Sequence, residues 1–140
     1  MAFRHEEIIR KVMLQWTREG RGRLFKNESG RAWQGRVTDE RMVDRSLVVE
    51  IFHAHMIKFG LFPGSSDLIG WEIAEYIDVD KRKMTPVRLA VFCAVEVKTK
   101  SDRLKPEQEN WLRVVTLQGG RGYIAREAGD DYTLEPWGAK

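Results

Sequence analysis

The sequence predicts an α/β or α+β sandwich in which helices cover a mixed sheet, and three observations predict it. An amphipathic helical period runs from Arg4 to Glu19, with Ile8, Ile9, Val12, Met13 and Trp16 on one stripe. An uninterrupted apolar run, Leu89 to Val95, has the length and composition of a strand buried on both faces. A second helical stretch from Pro106 through Gln118 leads into a short strand at Gly122 to Arg126. Helix, strands, helix, strand is the order of a layered fold with a mixed sheet.

Each element follows from its residues. The first helix is stopped by Gly20 and Gly22. On a wheel of about 100° per residue, Glu6 lies at the edge of the apolar stripe and Glu7 nearly opposite it. Short strands are expected at Arg23 to Lys26 and Trp33 to Val37, with Asn27-Glu28-Ser29-Gly30 as the turn between them. From Asp39 to His55, Met42, Leu47, Val48, Ile51 and Phe52 suit a helix, while Leu47-Val48-Val49 alone suits a strand; the spacing favours the helix. A turn-rich segment, Phe59 to Asp67, opens a strand that runs to Ile77. The charged stretch Asp78 to Pro86 reads as a hairpin loop, which makes this strand and the apolar one antiparallel neighbours. Pro106 suits a first helical position, and Gly119-Gly120 ends that helix.

Composition bounds the function. A chain of 140 residues, 42% hydrophobic and 32% charged, fits one globular domain with its own core. The single cysteine, Cys93, lies in the apolar run and reads as a buried, inert thiol. The N-terminus is charged from Arg4 onward and no apolar stretch reaches membrane-spanning length, so the expected location is cytoplasmic. Net charge is +3 and the isoelectric point about 9.1. The cations gather in three clusters: Arg18, Arg21, Arg23 and Lys26; Lys81, Arg82 and Lys83; and Lys98, Lys100, Arg103 and Lys105. A polyanion is the partner this pattern suggests, with a solvated surface the competing reading of each cluster and the favoured one for the first.

Several motif matches carry no chemistry. Gly119-Gly120-Arg121-Gly122 follows a helix instead of opening one, and no phosphate-loop Lys-Ser/Thr pair comes after it. His53-Ala54-His55 has no cysteine or third histidine at zinc-ligand spacing. No zinc-hydrolase or nucleophile-elbow pattern occurs.

There remains the end of the apolar run, Ala94-Val95-Glu96-Val97-Lys98. A carboxylate and an ammonium two residues apart share one strand face. A charge at a buried strand end is costly without compensation. Asp67 opens the neighbouring strand, and Glu6 stands on the first helix, so three carboxylates can converge. Hard oxygen donors of that kind suit Mg²⁺ or Mn²⁺, with water and substrate phosphate completing the shell. Lys98 would orient an attacking hydroxide or neutralise charge at phosphorus. Gln108 places an amide on the face that holds Trp111, Leu112 and Val115, and a buried amide needs a partner. Gly64-Ser65-Ser66 is small enough to let a phosphate backbone approach Asp67. The chemistry indicated is phosphodiester hydrolysis; a surface ion pair is the competing reading of Glu96 and Lys98.

These residues resemble the virus-type replication-repair nucleases (VRR-NUC), a branch of the PD-(D/E)XK phosphodiesterases. Phe59-Gly60-Leu61 with Gly64-Ser65-Ser66-Asp67-Leu68-Ile69-Gly70 is similar to the family's first motif and Val95-Glu96-Val97-Lys98 to its second. Arg103-Leu104-Lys105-Pro106-Glu107-Gln108 is similar to the family's next segment, and Gly119-Gly120 with Tyr123 to Arg126 to its closing glycine and strand. Lys26-Asn27 before Gly30 resembles the opening pattern. The resemblance implies a restriction-endonuclease-like α/β core, a mixed central sheet flanked by helices. It implies Asp67, Glu96 and the Val97 carbonyl as metal ligands, Lys98 as catalytic lysine, and Gln108 as support, with Glu6 or Glu7 as the helix carboxylate. The wheel favours Glu6. Ser65, Ser66, Lys81, Arg82, Lys83, Lys100 and Arg103 are the expected DNA contacts. The chain departs from the family in its extra residues between Gly30 and Phe59 and its long loop from Asp78 to Val87. Stand-alone members resemble homodimeric, often phage-borne resolvases of four-way (Holliday) junctions in DNA replication, repair and recombination. A junction endonuclease is therefore expected first; flap or single-strand cleavage, a non-catalytic DNA-binding module and a small-phosphoester hydrolase are the alternatives.

Overall fold

The computed structural model describes residues 2–80 and 83–138. In chain order these form α1 (Ala2–Arg18), β1 (Gly22–Lys26), β2 (Gly30–Val43), β3 (Ser46–Phe59), β4 (Leu68–Asp80), β5 (Lys83–Lys98), α2 (Pro106–Leu117), β6 (Arg121–Ala128) and β7 (Asp131–Pro136). They fall into two compact units, Met1–Asn27 with Gly64–Lys140, and Glu28–Pro63.

The larger unit is a five-stranded sheet in the order β1-β4-β5-β6-β7. All neighbours are antiparallel except β5 and β6, which run parallel because α2 carries the chain back between them. Side chains alternate across β5 and build two layers. Cys93, Val95 and Val97 join Ile8, Ile9, Val12 and Trp16 of α1 in one core cluster. Ala94 joins Leu112 and Val115 of α2 in the other. Glu96 and Lys98, by the same alternation, share the face of Ala94 and therefore lie on the α2 side. Gly70 lets β1 close on β4, since a Cβ there would stand 1.9 Å from the Arg23 carbonyl oxygen. Cys93 is fully buried, and burial pushes its thiol up to about 12, as expected of an inert core residue.

The sequence reading of β5 holds in part. Leu89 and Phe92 are 49% and 43% exposed, and burial begins only at Cys93. The reason lies in the pairing, because β6 reaches only Cys93 to Lys98. Where a loop is expected from Asp78 to Pro86, the described residues on either side of Lys81 and Arg82 continue the β4–β5 ladder, with Asp78 opposite Thr85 and Asp80 opposite Lys83. Pro86 is tolerated there because β5 has no second neighbour at that level and needs no second ladder donor.

The smaller unit is a β2–β3 hairpin, which replaces the helix expected over Asp39 to His55. Asp44 and Arg45, at φ 48° and 66°, form the two-residue left-handed turn that a hairpin needs. Leu47, Val49 and Ile51 then share one face, and β-branched residues favour the extended chain. Asn27 to Gly30 accordingly does not join two paired strands: β1 pairs with β4, and β2 with β3. The sequence pattern also gave no warning of β7, an edge strand. Among the described residues no helix is long and apolar enough to cross a membrane.

Candidate functional site

The register that sets Leu68 opposite Val95 brings Asp67, one residue before β4, level with Glu96. Asp67 is fixed there through the backbone of β5: its Oδ2 accepts a hydrogen bond from the Val97 N–H at 2.8 Å. The turn before it is clamped to β1. The Asn27 side-chain amide donates to Ser65 Oγ and to the Ser66 carbonyl, both at 2.8 Å, while the Asn27 N–H donates to the Asp67 carbonyl at 2.7 Å. Gly64, at φ 93°, tucks this turn against α2, where a Cβ would stand 2.8 Å from Glu107.

Glu96, Lys98 and Gln108 form a closed triangle. Lys98 Nζ lies 3.0 Å from Glu96 Oε1 and donates to Gln108 Oε1 at 2.9 Å; Gln108 Nε2 donates to Glu96 Oε1 at 2.5 Å. Local sequence explains the place of the glutamine. Gln108 is the third residue of α2, and its Oε1 also accepts from the Lys105 N–H at 3.0 Å, in the manner of a capping-box side chain. One side chain thus caps the helix and ties it to the charge pair.

Glu96 and Lys98 are 2% and 7% exposed, which excludes the surface-pair reading. Burial, with the negative charge of Asp67 added, raises the Glu96 carboxyl to about 7, against the pull of Lys98. Both donors reach Oε1 alone, so Glu96 Oε2 is buried without a hydrogen-bond partner among the described residues. An unpartnered buried carboxylate oxygen beside a second carboxylate fits a hard divalent cation. Among the described residues no group of three or more His, Cys, Asp or Glu side chains gathers for a metal. Two carboxylates, main-chain oxygen and water are the donor set that remains, and Mg²⁺ accepts such a set readily.

The other expected residues scatter. Glu6 is not with Asp67 and Glu96; its carboxylate pairs with Lys26 at 2.9 Å. The α1 side chain that does meet Asp67 is His5, with Nε2 at 3.5 Å from Oδ2. A search of the helix for carboxylates alone passes over it. Ser66 is fully buried, which corrects the expectation that it touches DNA: the Asn27 clamp holds the turn with that side chain inward. Lys100 and Arg103 are exposed on the loop after β5. That loop is ordered by Thr99 Oγ1 donating to Asp102 at 2.6 Å and by Arg126 donating to the Asp102 carbonyl at 2.8 Å. Lys81 and Arg82 lie outside the described residues, as does the side chain of Lys83.

The family model described as the VRR-NUC domain matches residues 5–128. The chain belongs to the VRR-NUC family. No curated protein matches it in sequence. The VRR-NUC domain is a nuclease of the PD-(D/E)XK type, and its mixed five-stranded sheet between helices is the restriction-endonuclease-like fold of that superfamily. Nucleases of this type generally use divalent metal ions, and DNA is the substrate the domain implies.

Proposed function

We propose that this VRR-NUC domain is a Mg²⁺- or Mn²⁺-dependent, structure-selective DNA endonuclease, with four-way junctions as its first substrate and a second copy of the chain as its partner. One observation carries the catalytic part: a buried Glu96–Lys98–Gln108 triangle, level with Asp67, leaves one carboxylate oxygen unpartnered. Asp67, Glu96 and the Val97 carbonyl are the groups that would hold the ion. When bound, the ion would lower the pKa of water and supply positive charge at the scissile phosphate. Lys98 holds its ammonium between Glu96 and Gln108, with a third proton left to orient the incoming water or meet charge on the phosphate oxygens. Gln108 keeps that ammonium in place. Ser65, Lys100 and Arg103, with Lys81, Arg82 and Lys83, are the candidate phosphate contacts, which position the strand without reading its bases.

The junction preference is supported by the resemblance to stand-alone members, and two-fold junction symmetry calls for paired sites. The test is a matched panel of four-way junction, flap, duplex and single-stranded DNA with Mg²⁺, Mn²⁺ or chelator, alongside a molar-mass measurement in solution. Cleavage is expected to vanish with chelator and in Asp67→Ala, while DNA binding persists. Paired symmetric nicks from a dimer support a resolvase; preference for flaps or single strands assigns that substrate instead. Normal cleavage by Asp67→Ala overturns the catalytic reading, and no turnover on any DNA leaves a DNA-binding module.

A further inference from the structure

We propose that His5 is a positioning residue of the metal site, an α1 side chain that meets the Asp67 carboxylate and holds it in place. This role rests on the metal-dependent reading of Asp67 and Glu96 and adds a residue that the reading does not contain.

His5, Ile8, Ile9, Val12 and Trp16 follow one another on α1 at intervals of three, one, three and four, which puts them on one stripe of the helix. His5 is the polar member of that stripe. The other four are buried in the cluster that α1 shares with Val95 and Val97 of β5. Packing that fixes those four side chains therefore also fixes the rotation of α1 about its axis. The first turn is thereby set so that His5 faces the start of β4, and its Nε2 stands 3.5 Å from Asp67 Oδ2.

The carboxylates of the same turn are engaged elsewhere. Glu6 pairs with Lys26 at 2.9 Å, and Glu7 pairs with Lys11, one turn along, at 3.3 Å. Among the described side chains, His5 is thus the α1 group seen to meet Asp67. It meets the same oxygen that accepts from the Val97 N–H. Oδ2 is thus met by a main-chain donor of β5 and by the imidazole of α1. A carboxylate ligand held in this way is already oriented before the ion arrives, and loss of such an outer partner typically costs about 10–100-fold in metal affinity or activity. Direct ligation by the imidazole is the competing arrangement. The structure favours positioning, since Nε2 faces Oδ2, the carboxylate oxygen that already accepts from the Val97 N–H.

The test measures Mn²⁺ binding to the full chain without DNA, by calorimetry and by electron spin echo spectroscopy of the bound ion. His5→Ala is expected to weaken Mn²⁺ binding about 10–100-fold. His5→Gln, whose amide can still donate to Oδ2, is expected to recover part of the loss. Thermal melting without metal, unchanged in His5→Ala, separates this effect from misfolding; should that variant melt early, His5→Gln against His5→Phe carries the same comparison. Mn²⁺ binding unaltered in His5→Ala overturns the inference while leaving the metal site intact. A nitrogen coupling on bound Mn²⁺ that disappears in His5→Ala overturns it in favour of direct ligation. No Mn²⁺ binding by the unsubstituted chain overturns the metal-site reading and this inference together.

Discussion

Gln108 makes three hydrogen bonds with two atoms, and each has a different consequence. Its Oε1 serves Lys98 Nζ and the Lys105 N–H, and its Nε2 serves Glu96. Gln108→Glu keeps the shape but replaces the donor that faces Glu96 with an oxygen. Two carboxyl groups then compete for Lys98 inside a buried site, which displaces the ammonium or protonates one acid. The expected result is normal folding with kcat reduced about 10–100-fold, the range for a lost supporting contact, and with DNA affinity little changed. Single-turnover cleavage against anisotropy binding reads the two apart; equal loss in both would show that Gln108 acts on binding instead. At this scale much is legible in the sequence. Two charges at the end of an apolar run are an anomaly that only burial with partners explains, and Gln108 is an amide on an apolar stripe. His5 carries the same signal, a polar residue in line with an apolar stripe, and escapes a search that seeks ligands among acids alone. The burial of Ser66 depends on the Asn27 side chain, 39 residues away in sequence, and no local pattern announces it.

Among the elements, β4 carries a second buried carboxylate, remote from the site. Glu72 is 8% exposed. It meets Arg21 at 3.0 Å, Arg121 at 3.2 Å and the Tyr123 hydroxyl, and so ties β1 and β6 to β4 across the sheet. Arg21 in turn lies over the Trp16 ring of α1 at 4.0 Å. Burial alone would raise the Glu72 carboxyl, but the Tyr123, Arg21 and Arg121 hydrogen bonds outweigh it and hold the group below its ordinary 4.5. A folded-state pKa below the unfolded one adds stability that is present above the unfolded value and lost as pH falls through the folded one. Glu72→Gln is therefore expected to destabilise at pH 7 by about 1–3 kcal/mol, with the difference from the unsubstituted chain shrinking below about pH 4.5. Urea melts across pH 3 to 8 check it, and a gap constant with pH would refute the linkage. Neither this brace nor the hairpin can be read from periodicity. Glu72 gives no signal without its cross-strand partners, and the hairpin turn Asp44-Arg45 lacks the glycine by which such turns are usually recognised.

For the whole molecule, the division of labour between the two units makes a prediction that either alone would not. Among the described residues, the two core clusters draw on α1, β1, β4 to β7, α2, Leu104 and Trp137, and none of their members comes from residues 28–63. The hairpin carries apolar side chains in the open, with Trp33 60%, Met42 66% and Leu47 61% exposed. A two-stranded ladder without a core is marginal in water, so its amides are expected to exchange through local opening, at a free energy well below that of global unfolding. The amides of Cys93 to Val95, the stretch of β5 paired with both β4 and β6, should instead exchange only with global unfolding. Gly30 and Phe59 are paired in register, so a short Gly-Ser turn can replace residues 31–58 without separating the ends. The shortened chain is expected to melt within about 4 °C of the full one, the shift that about 1 kcal/mol produces in a domain of about 100–150 residues. It should also be more soluble, since the removed surface is the apolar edge most able to pair with other chains. A collapse of the melting transition on shortening would show that the hairpin holds the nuclease core together. Retained stability with altered choice among junction, flap and single-stranded DNA would place the hairpin in substrate selection and leave the chemistry with Asp67, Glu96 and Lys98.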